Sequence, residues 1–156
     1  MSIEIERKFL VRDDSFKLVC VAKHYLKQGY LSVDKHRTVR IRIADDKGFI
    51  TIKGISNQSG MSRYEWEHEI SIREANELLD LALPTIIEKN RYIVPSGNRF
   101  WEIDEFFGEN EGLVLAEIEL GSESEYFDKP SFIGQEVTSD SKYYNSYLSL
   151  TPYKSW

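Results

Sequence analysis

Acidic and basic residues alternate with apolar ones along short runs of this sequence. The run IEIERKFL near the amino terminus places Glu4, Glu6 and Lys8 two residues apart. Residues two apart in a strand point to the same face, so two carboxylates and an ammonium group would stand side by side. Carboxylates are ordinary Mg²⁺ ligands, and ammonium groups bind phosphate. The wet face of an antiparallel sheet would explain this run equally well.

The same alternation recurs in later runs, and this recurrence is harder to explain by a wet face alone. The residues that share the charged faces are Arg40 and Arg42; Thr51 and Lys53; Arg63, Glu65, Glu67 and Glu69; Lys89 and Arg91; Glu102 and Asp104; and Glu117 and Glu119. Few Ser, Asn or Gln residues occur among them, although any soluble side chain would suit a wet surface. Charge buried without partners is costly, so an enclosed face of this kind must hold water, ions or a charged ligand.

Period-two patterns predict about eight strands, with Asp45–Gly48 and Pro95–Asn98 as hairpin turns. The predicted strands cover residues 3–11, 24–33, 36–44, 48–54, 62–71, 85–95, 99–107 and 113–121. An eight-stranded antiparallel sheet tends to curl and close, which removes its edges. We therefore predict a mainly β (α+β) fold, a closed eight-stranded antiparallel β-barrel that forms a tunnel, with a few short helices packed outside.

Few helices are predicted. The clearest begins at Ser71, which has capping-box spacing to Glu74, and ends before Pro84. A shorter helix is predicted over residues 15–22, and a helical turn over residues 122–125. The apolar faces of these helices must pack against the apolar faces of the strands, which leaves the charged faces turned inward or to water.

Bulk properties narrow the function classes. The chain has 156 residues and a net charge of −6, which predicts one domain over residues 1–156 and argues against a general nucleic-acid binder. No apolar run approaches a membrane span and no secretion signal is visible, so a cytoplasmic protein without a membrane partner is expected. The single cysteine, Cys20, cannot form an internal disulfide, and the three histidines are too scattered for a triad or zinc site.

The order of these charged residues along nearly the whole chain resembles the CYTH family, also called triphosphate tunnel metalloenzymes. The residues that carry the resemblance are Glu4-x-Glu6-x-Lys8, Arg40-x-Arg42, Lys53, Glu65-x-Glu67, Lys89-x-Arg91, Asp104, Glu117-x-Glu119 and Lys142. The stretches LKQGYL, RYEWE, WEIDEF and LVLAEIEL are most similar to short bacterial members of the tripolyphosphatase type.

The resemblance implies a metal-dependent hydrolase with water as nucleophile, whose substrate is tripolyphosphate, a nucleoside triphosphate or thiamine triphosphate. It implies Mg²⁺ or Mn²⁺ as cofactor, held by Glu4, Glu6, Glu117 and Glu119, with Glu65, Glu67 and Asp104 as further candidate ligands or water-orienting groups. The substrate phosphates would be bound by Lys8, Arg40, Arg42, Lys53, Lys89, Arg91 and Lys142. The catalytic set would be Glu4, Glu6, Lys8, Asp104, Glu117 and Glu119.

Three alternatives stay open on the sequence. The same machinery serves class IV adenylyl cyclases, which make cyclic AMP from ATP, although no adenine-reading residues are visible. A non-catalytic barrel could bind polyphosphate or a nucleotide, but it would have little use for paired glutamates. A structural domain with a wet face would bind nothing. The resemblance also implies a homodimer, whereas the aromatic residues near the carboxyl terminus are expected to pack on their own barrel.

Overall fold

The computed structural model describes residues 2–156, and its main element is a closed antiparallel barrel. The strands are β1 (Ile3–Val11), β2 (Ala22–Ser32), β3 (Thr38–Ala44), β4 (Lys47–Lys53), β5 (Ser62–Ile70), β6 (Ile87–Ser96), β7 (Arg99–Phe106), β8 (Val114–Glu119) and β9 (Ile133–Glu136). Their order is β5-β4-β3-β2-β6-β7-β8-β1-β9, and a further β5–β1 pairing closes the first eight into a barrel. The predicted closed eight-stranded barrel is therefore confirmed.

The first strand closes the barrel because each part of it has different neighbours. One edge of β1 pairs with β8 through Glu6–Leu10. The other edge pairs with β5 through Ile3–Ile5, and then with β9 at Phe9 and Val11. The ninth strand was not predicted, and it covers the edge of β1 that β5 leaves free.

Tight hairpins join several of the strands at the predicted places. The β3–β4 hairpin turns at Asp45, whose φ of 54° lies in the left-handed region that Asp tolerates. The β6–β7 hairpin turns at Gly97, whose φ is 61°. These turns fix the register of the pairs that follow, and register decides which side chains face inward.

Three short α-helices lie outside the strands: α1 (Phe16–Val19), α2 (Ile72–Leu79) and α3 (Asn145–Leu148). The predicted capping box is present, since the Glu74 N–H donates to Ser71 Oγ at 3.0 Å and the Ser71 N–H donates to Glu74 Oε1 at 3.2 Å. The predicted helix over residues 15–22 is shorter than expected because β2 already begins at Ala22. Residues 122–125 form a turn and no helix.

Apolar packing occurs on both faces of the barrel wall. On the outer face, Ile41 packs with Ala75 and Leu79 of α2, and a larger cluster around Phe9 and Trp101 lies under α1 and β9. A third cluster fills one end of the barrel interior, where its members are Tyr30, Ile87, Phe106, Leu113, Leu115, Val137 and Leu148. Leu148 belongs to the C-terminal segment, residues 141–156, which therefore packs against this end of the barrel.

The described part of the chain, residues 2–156, contains no helix that is both long and apolar enough to span a membrane.

Candidate active site

The charged faces of the strands line a cavity of about 180 Å³ inside the barrel. Twelve of the predicted site residues line it: Glu4, Glu6, Lys8, Arg40, Arg42, Lys53, Glu65, Glu67, Lys89, Arg91, Glu117 and Glu119. The alternation seen in the sequence thus places these side chains together because every second residue of a barrel strand faces inward.

Strand register sets which charged residues become neighbours across the wall. Glu6 lies opposite Glu119, and Lys8 lies opposite Glu117. Lys53 lies opposite Glu65. Directly opposed residues are close enough for their side chains to interact, so the barrel forces acid beside acid at one position and acid beside base at the next.

A buried basic cluster surrounds Asp104. Lys89 Nζ lies 2.7 Å from Asp104 Oδ2, and Arg91 binds both carboxylate oxygens through Nε at 2.8 Å and Nη2 at 2.9 Å. Burial disfavours the charge of Asp104, but Arg91 and Lys89 outweigh that effect and lower its pKa to about 2. Asp104 is only 1% exposed and does not line the cavity, so it lies behind the two cations and orients them.

This part of the tunnel carries more positive charge than its acids neutralise. Burial lowers the pKa of Lys89 to about 7 even though Asp104 favours its charged form, and nearby Arg91 and Arg42 lower it further. Burial and the charges of Arg40 and Arg91 lower the pKa of Arg42 to about 9. Arg40 Nε is buried and has no hydrogen-bond partner within residues 2–156. An anion bound here would stabilise these cations and complete their hydrogen bonds.

An acidic cluster occupies the neighbouring part of the tunnel, where Glu4, Glu6, Glu117 and Glu119 come together. Burial and the charge of Glu117 raise the pKa of Glu6 to about 8. Burial also raises the pKa of Glu4, with Glu65 contributing. Glu117 differs, because the charges of Lys8 and Arg91 overcome its burial and hold its pKa well below the usual value. Near neutral pH these shifts favour a protonated Glu6 beside an ionised Glu117.

Lysines border the acidic cluster. Lys53 Nζ lies 2.8 Å from Glu4 Oε1 and 3.5 Å from Glu65 Oε2. The second distance is that of an ion pair without a hydrogen bond, and Glu65 Oε2 is accordingly a buried oxygen without a hydrogen-bond partner. Lys8 Nζ lies 3.5 Å from Glu117 Oε1 and donates to the Tyr143 carbonyl oxygen at 3.1 Å.

The acidic cluster fits a hard divalent cation that is shared with a ligand. Within residues 2–156, no three His, Cys, Asp or Glu side chains already converge into a closed metal site. Mg²⁺ does not require one, since it keeps several waters and binds through one or two carboxylates and substrate phosphates. The raised pKa values of Glu4 and Glu6 show that the nearby cations are too few to keep every carboxyl group of the cluster ionised, and Glu65 Oε2 has no hydrogen-bond partner. Oxygen-only ligands of this kind suit Mg²⁺ or Mn²⁺.

Besides Asp104, one other predicted residue, Lys142, lies outside the cavity lining. Its Nζ lies 4.9 Å from the centre of the Trp156 ring and 5.5 Å from that of Tyr143, in the C-terminal segment. The structure does not bring it together with the other cations, and its role toward substrate stays a prediction.

Eight further residues line the cavity that the sequence did not single out as site residues: Tyr30, Thr38, Thr51, Arg63, Glu102, Tyr144, Asn145 and Ser146. Thr51, Arg63 and Glu102 share a face with predicted site residues, so the alternation itself could have found them. No local pattern points to Asn145, because it reaches the tunnel only through the packing of the C-terminal segment.

The fold and this lining define a class of protein, and comparison with known proteins gives the same class. Residues 2–151 match the CYTH domain, so the chain belongs to the CYTH family. An inorganic triphosphatase of Acetivibrio thermocellus is 49% identical over 157 residues, which span 100% of this chain and 99% of that protein. An inorganic triphosphatase of Nitrosomonas europaea is 36% identical, with 95% and 97% covered.

A solved structure of an inorganic triphosphatase supports the assignment. It superposes with a TM-score of 0.65 at 32% identity and covers 96% of each chain. The family implies a divalent metal cofactor, in agreement with the acidic cluster.

Proposed function

We propose that this protein is a divalent-metal-dependent triphosphatase that hydrolyses a phosphoanhydride bond of a small-molecule triphosphate, with tripolyphosphate as its expected substrate. The observation that carries the proposal is a closed tunnel in which surplus positive charge adjoins surplus negative charge. The relatives named inorganic triphosphatase support it, because they match this chain over nearly its full length.

The basic part of the tunnel suits a chain of phosphate groups. Arg40 and Arg42 of β3 and Lys89 and Arg91 of β6 line the same cavity on either side of β2. Arginine can bind phosphate oxygens through two N–H groups at once. Arg91 is already oriented by Asp104, so it needs little rearrangement to bind. Tripolyphosphate bound here would supply further negative charge to this cluster, in which burial and neighbouring cations lower the pKa values of Arg42 and Lys89.

The acidic part would hold the cofactor, with Mg²⁺ or Mn²⁺ as candidates. Glu4, Glu6, Glu117 and Glu119 are the residues that would bind it, as the family resemblance implies. A bound divalent cation would supply charge neutralisation at the phosphates and lower the pKa of a water ligand.

Phosphoryl transfer depends mainly on positioning and on stabilising charge at the phosphate oxygens. Water would supply the new oxygen on the terminal phosphorus, the bridging P–O bond would break, and the electron pair would leave with pyrophosphate. A carboxylate of the acidic cluster would accept the water's proton. Lys8, Lys53 and the arginines would stabilise the negative charge on the leaving group. This scheme needs no covalent nucleophile.

The direct test is phosphate release from tripolyphosphate with Mg²⁺, with Mn²⁺ and with EDTA. Release should require a metal and should fall by at least about a hundredfold in the Glu4→Gln/Glu6→Gln double variant, because two carboxylate ligands are lost. The matched control is Glu109→Gln/Glu111→Gln, which makes the same two substitutions at exposed positions. Metal-independent release, or equal loss in both double variants, would contradict the proposal.

Products formed from ATP separate this function from the cyclase alternative. ADP and phosphate indicate hydrolysis, whereas cyclic AMP and pyrophosphate indicate cyclisation. A protein that binds tripolyphosphate without releasing phosphate would instead be the non-catalytic barrel. A cytoplasmic location, the absence of nucleic-acid and membrane partners, and a homodimer stay predictions from the sequence.

A further inference from the structure

Asn145, the first residue of α3, connects two cations of the tunnel through one amide oxygen. Its Oδ1 accepts hydrogen bonds from Lys89 Nζ at 2.8 Å and from Gln28 Nε2 at 2.9 Å. Gln28 is fully buried, and its Oε1 accepts from Arg42 Nε at 2.8 Å. A continuous chain of hydrogen bonds therefore joins Lys89, Asn145, Gln28 and Arg42.

The two ends of this chain fix the orientation of both amides. An ammonium group and an arginine Nε can only donate. Lys89 therefore requires the oxygen of Asn145 to face it, and Arg42 requires the oxygen of Gln28. The NH₂ group of Gln28 then faces the oxygen of Asn145, so the two requirements agree. Turning either amide over would place a donor against a donor.

This orientation leaves the NH₂ group of Asn145 without a partner. Within residues 2–156, Asn145 Nδ2 makes no hydrogen bond, and Asn145 lines the tunnel cavity beside Lys89 and Arg42. A free N–H donor beside surplus positive charge suits an anionic oxygen, and a hydrogen bond to a charged partner is stronger than one between neutral groups.

We propose that Asn145 is a substrate-binding residue whose Nδ2 donates to a phosphate oxygen of the triphosphate, while its Oδ1 holds Lys89 directly and Arg42 through Gln28. This inference rests on the proposed function. With this role for Asn145, the C-terminal segment lines the binding site in addition to packing against the apolar end of the barrel. The segment also contacts the tunnel through the Tyr143 carbonyl oxygen, which accepts from Lys8 Nζ at 3.1 Å.

If Asn145 had a purely structural role, its free NH₂ group would bind nothing. Two substitutions distinguish this structural role from a role in binding phosphate. Asn145→Ala removes both Oδ1, which accepts from Lys89 and Gln28, and the free Nδ2 donor. Asn145→Asp keeps an oxygen for Lys89 and Gln28 but replaces the donor by an acceptor that repels phosphate. If Asn145 only bridges Lys89 and Gln28, Asn145→Asp should restore what Asn145→Ala loses. If it binds phosphate, Asn145→Asp should be the more damaging change.

The kinetic test uses tripolyphosphate as substrate with Mg²⁺. Asn145→Ala should raise KM by about tenfold or more, the loss expected for one hydrogen bond to a charged group. Asn145→Asp should raise it further while its melting temperature stays at or above that of the unsubstituted protein, because the inward hydrogen bonds are kept. Ser146→Asp adds the same charge at the adjacent position of the cavity lining and measures the effect of charge alone. Asn76→Asp repeats the substitution on the exposed face of α2 and should change neither KM nor the melting temperature.

The inference is overturned if Asn145→Ala leaves KM unchanged, or if Asn145→Asp is no more damaging than Ser146→Asp. Calorimetric titration with tripolyphosphate in EDTA keeps this test separate from that of the proposed function. If the protein hydrolyses tripolyphosphate and the Asn145 variants behave normally, only the inference fails. If no variant hydrolyses it, the proposed function fails, and weaker tripolyphosphate binding by Asn145→Ala would still support the contact.

Discussion

Two charged clusters in the same tunnel each bury a carboxyl group, yet the pKa values of these two groups shift in opposite directions. Asp104 is buried with Lys89 and Arg91, and its pKa falls to about 2. Glu6 is enclosed by Glu4 and Glu117, and its pKa rises to about 8. Burial raises the pKa of both carboxyl groups. The difference lies in the neighbours. Asp104 is in direct contact with two cations, whereas the largest effect on the pKa of Glu6 after burial is the negative charge of Glu117.

The comparison indicates what each cluster lacks. The basic cluster is assembled in advance, because Asp104 holds Arg91 in a two-point contact before any substrate arrives. The acidic cluster is incomplete, because one of its carboxyl groups must stay protonated until a cation replaces the proton. Residue type alone does not separate an acid that orients a cation from an acid that binds a metal, whereas its immediate partners do.

The largest expected effect comes from removing the acid of the basic cluster. Asp104→Asn leaves Lys89 buried without its counter-charge and Arg91 with only Glu102, which should lower the free energy of unfolding by about 3–5 kcal/mol at pH 7. Urea denaturation measures this change. The matched control is Glu102→Gln, which removes the other partner of Arg91, at 2.9 Å and 35% exposed, and should cost less than about 1 kcal/mol.

The pH dependence of the stability lost in Asp104→Asn tests whether the charge of Asp104 is the cause. The pKa of Asp104 is lower in the folded state than its ordinary value of 3.8. Its contribution to stability is therefore fully present above pH 3.8 and is lost as the pH falls through about 2. The stability gap between Asp104→Asn and the unsubstituted protein should persist down to about pH 4 and narrow below it. A gap that closes near neutral pH would assign the stabilisation to another group.

The acidic cluster should show the opposite dependence when metal is removed by EDTA. The folded pKa of Glu6 is raised from 4.5 to about 8, so its contribution to stability is full below pH 4.5 and is lost as the pH rises through about 8. Glu117 and Glu4 raise this pKa, while Lys53 and Lys8 lower it. Thermal unfolding in EDTA should therefore show a fall in melting temperature from pH 5 to pH 7, below the range in which deprotonation of Lys89, whose folded pKa is lowered to about 7, would oppose it.

Two comparisons sharpen the assignment of that fall to Glu6. Glu6→Gln should flatten the pH dependence, because glutamine stays neutral over the whole range. Added Mg²⁺ should stabilise the unsubstituted protein more at pH 9 than at pH 6, since the cation replaces a proton that is already leaving. An equal decline in Glu6→Gln would show that another group is responsible.

The barrel and most of the tunnel lining could be predicted because both depend on local alternation. Each hairpin keeps neighbouring strands in register, so a period of two along the sequence becomes an inward face in the structure. The capping box at Ser71 was equally local. The elements that could not be predicted depend on contacts between residues far apart in the chain. β9 is a four-residue strand that contains Gly134 and, among the described residues 2–156, pairs only with β1, about 120 residues away in the chain.

The carboxyl terminus shows the same limit for the candidate site. Asn145 and Lys142 lie three residues apart, yet only Asn145 lines the cavity. The charge of Lys142 suggested a phosphate ligand, and the amide of Asn145 suggested nothing. Their positions follow from how Leu148 enters the apolar end of the barrel, a contact that no pattern within the segment encodes.

The smallest expected effect is that of Lys142→Ala, which tests the sequence prediction for this residue. Lys142 is exposed, and its ammonium group lies over the rings of Trp156 and Tyr143. An exposed contact of this kind contributes about 0.5–1 kcal/mol, so stability should fall by no more than that. KM for tripolyphosphate should stay within about twofold, whereas Lys53→Ala, which removes a tunnel cation bound to Glu4, should raise it by about tenfold or more. If both substitutions raise KM equally, Lys142 reaches the substrate, and the C-terminal segment must move inward when substrate binds.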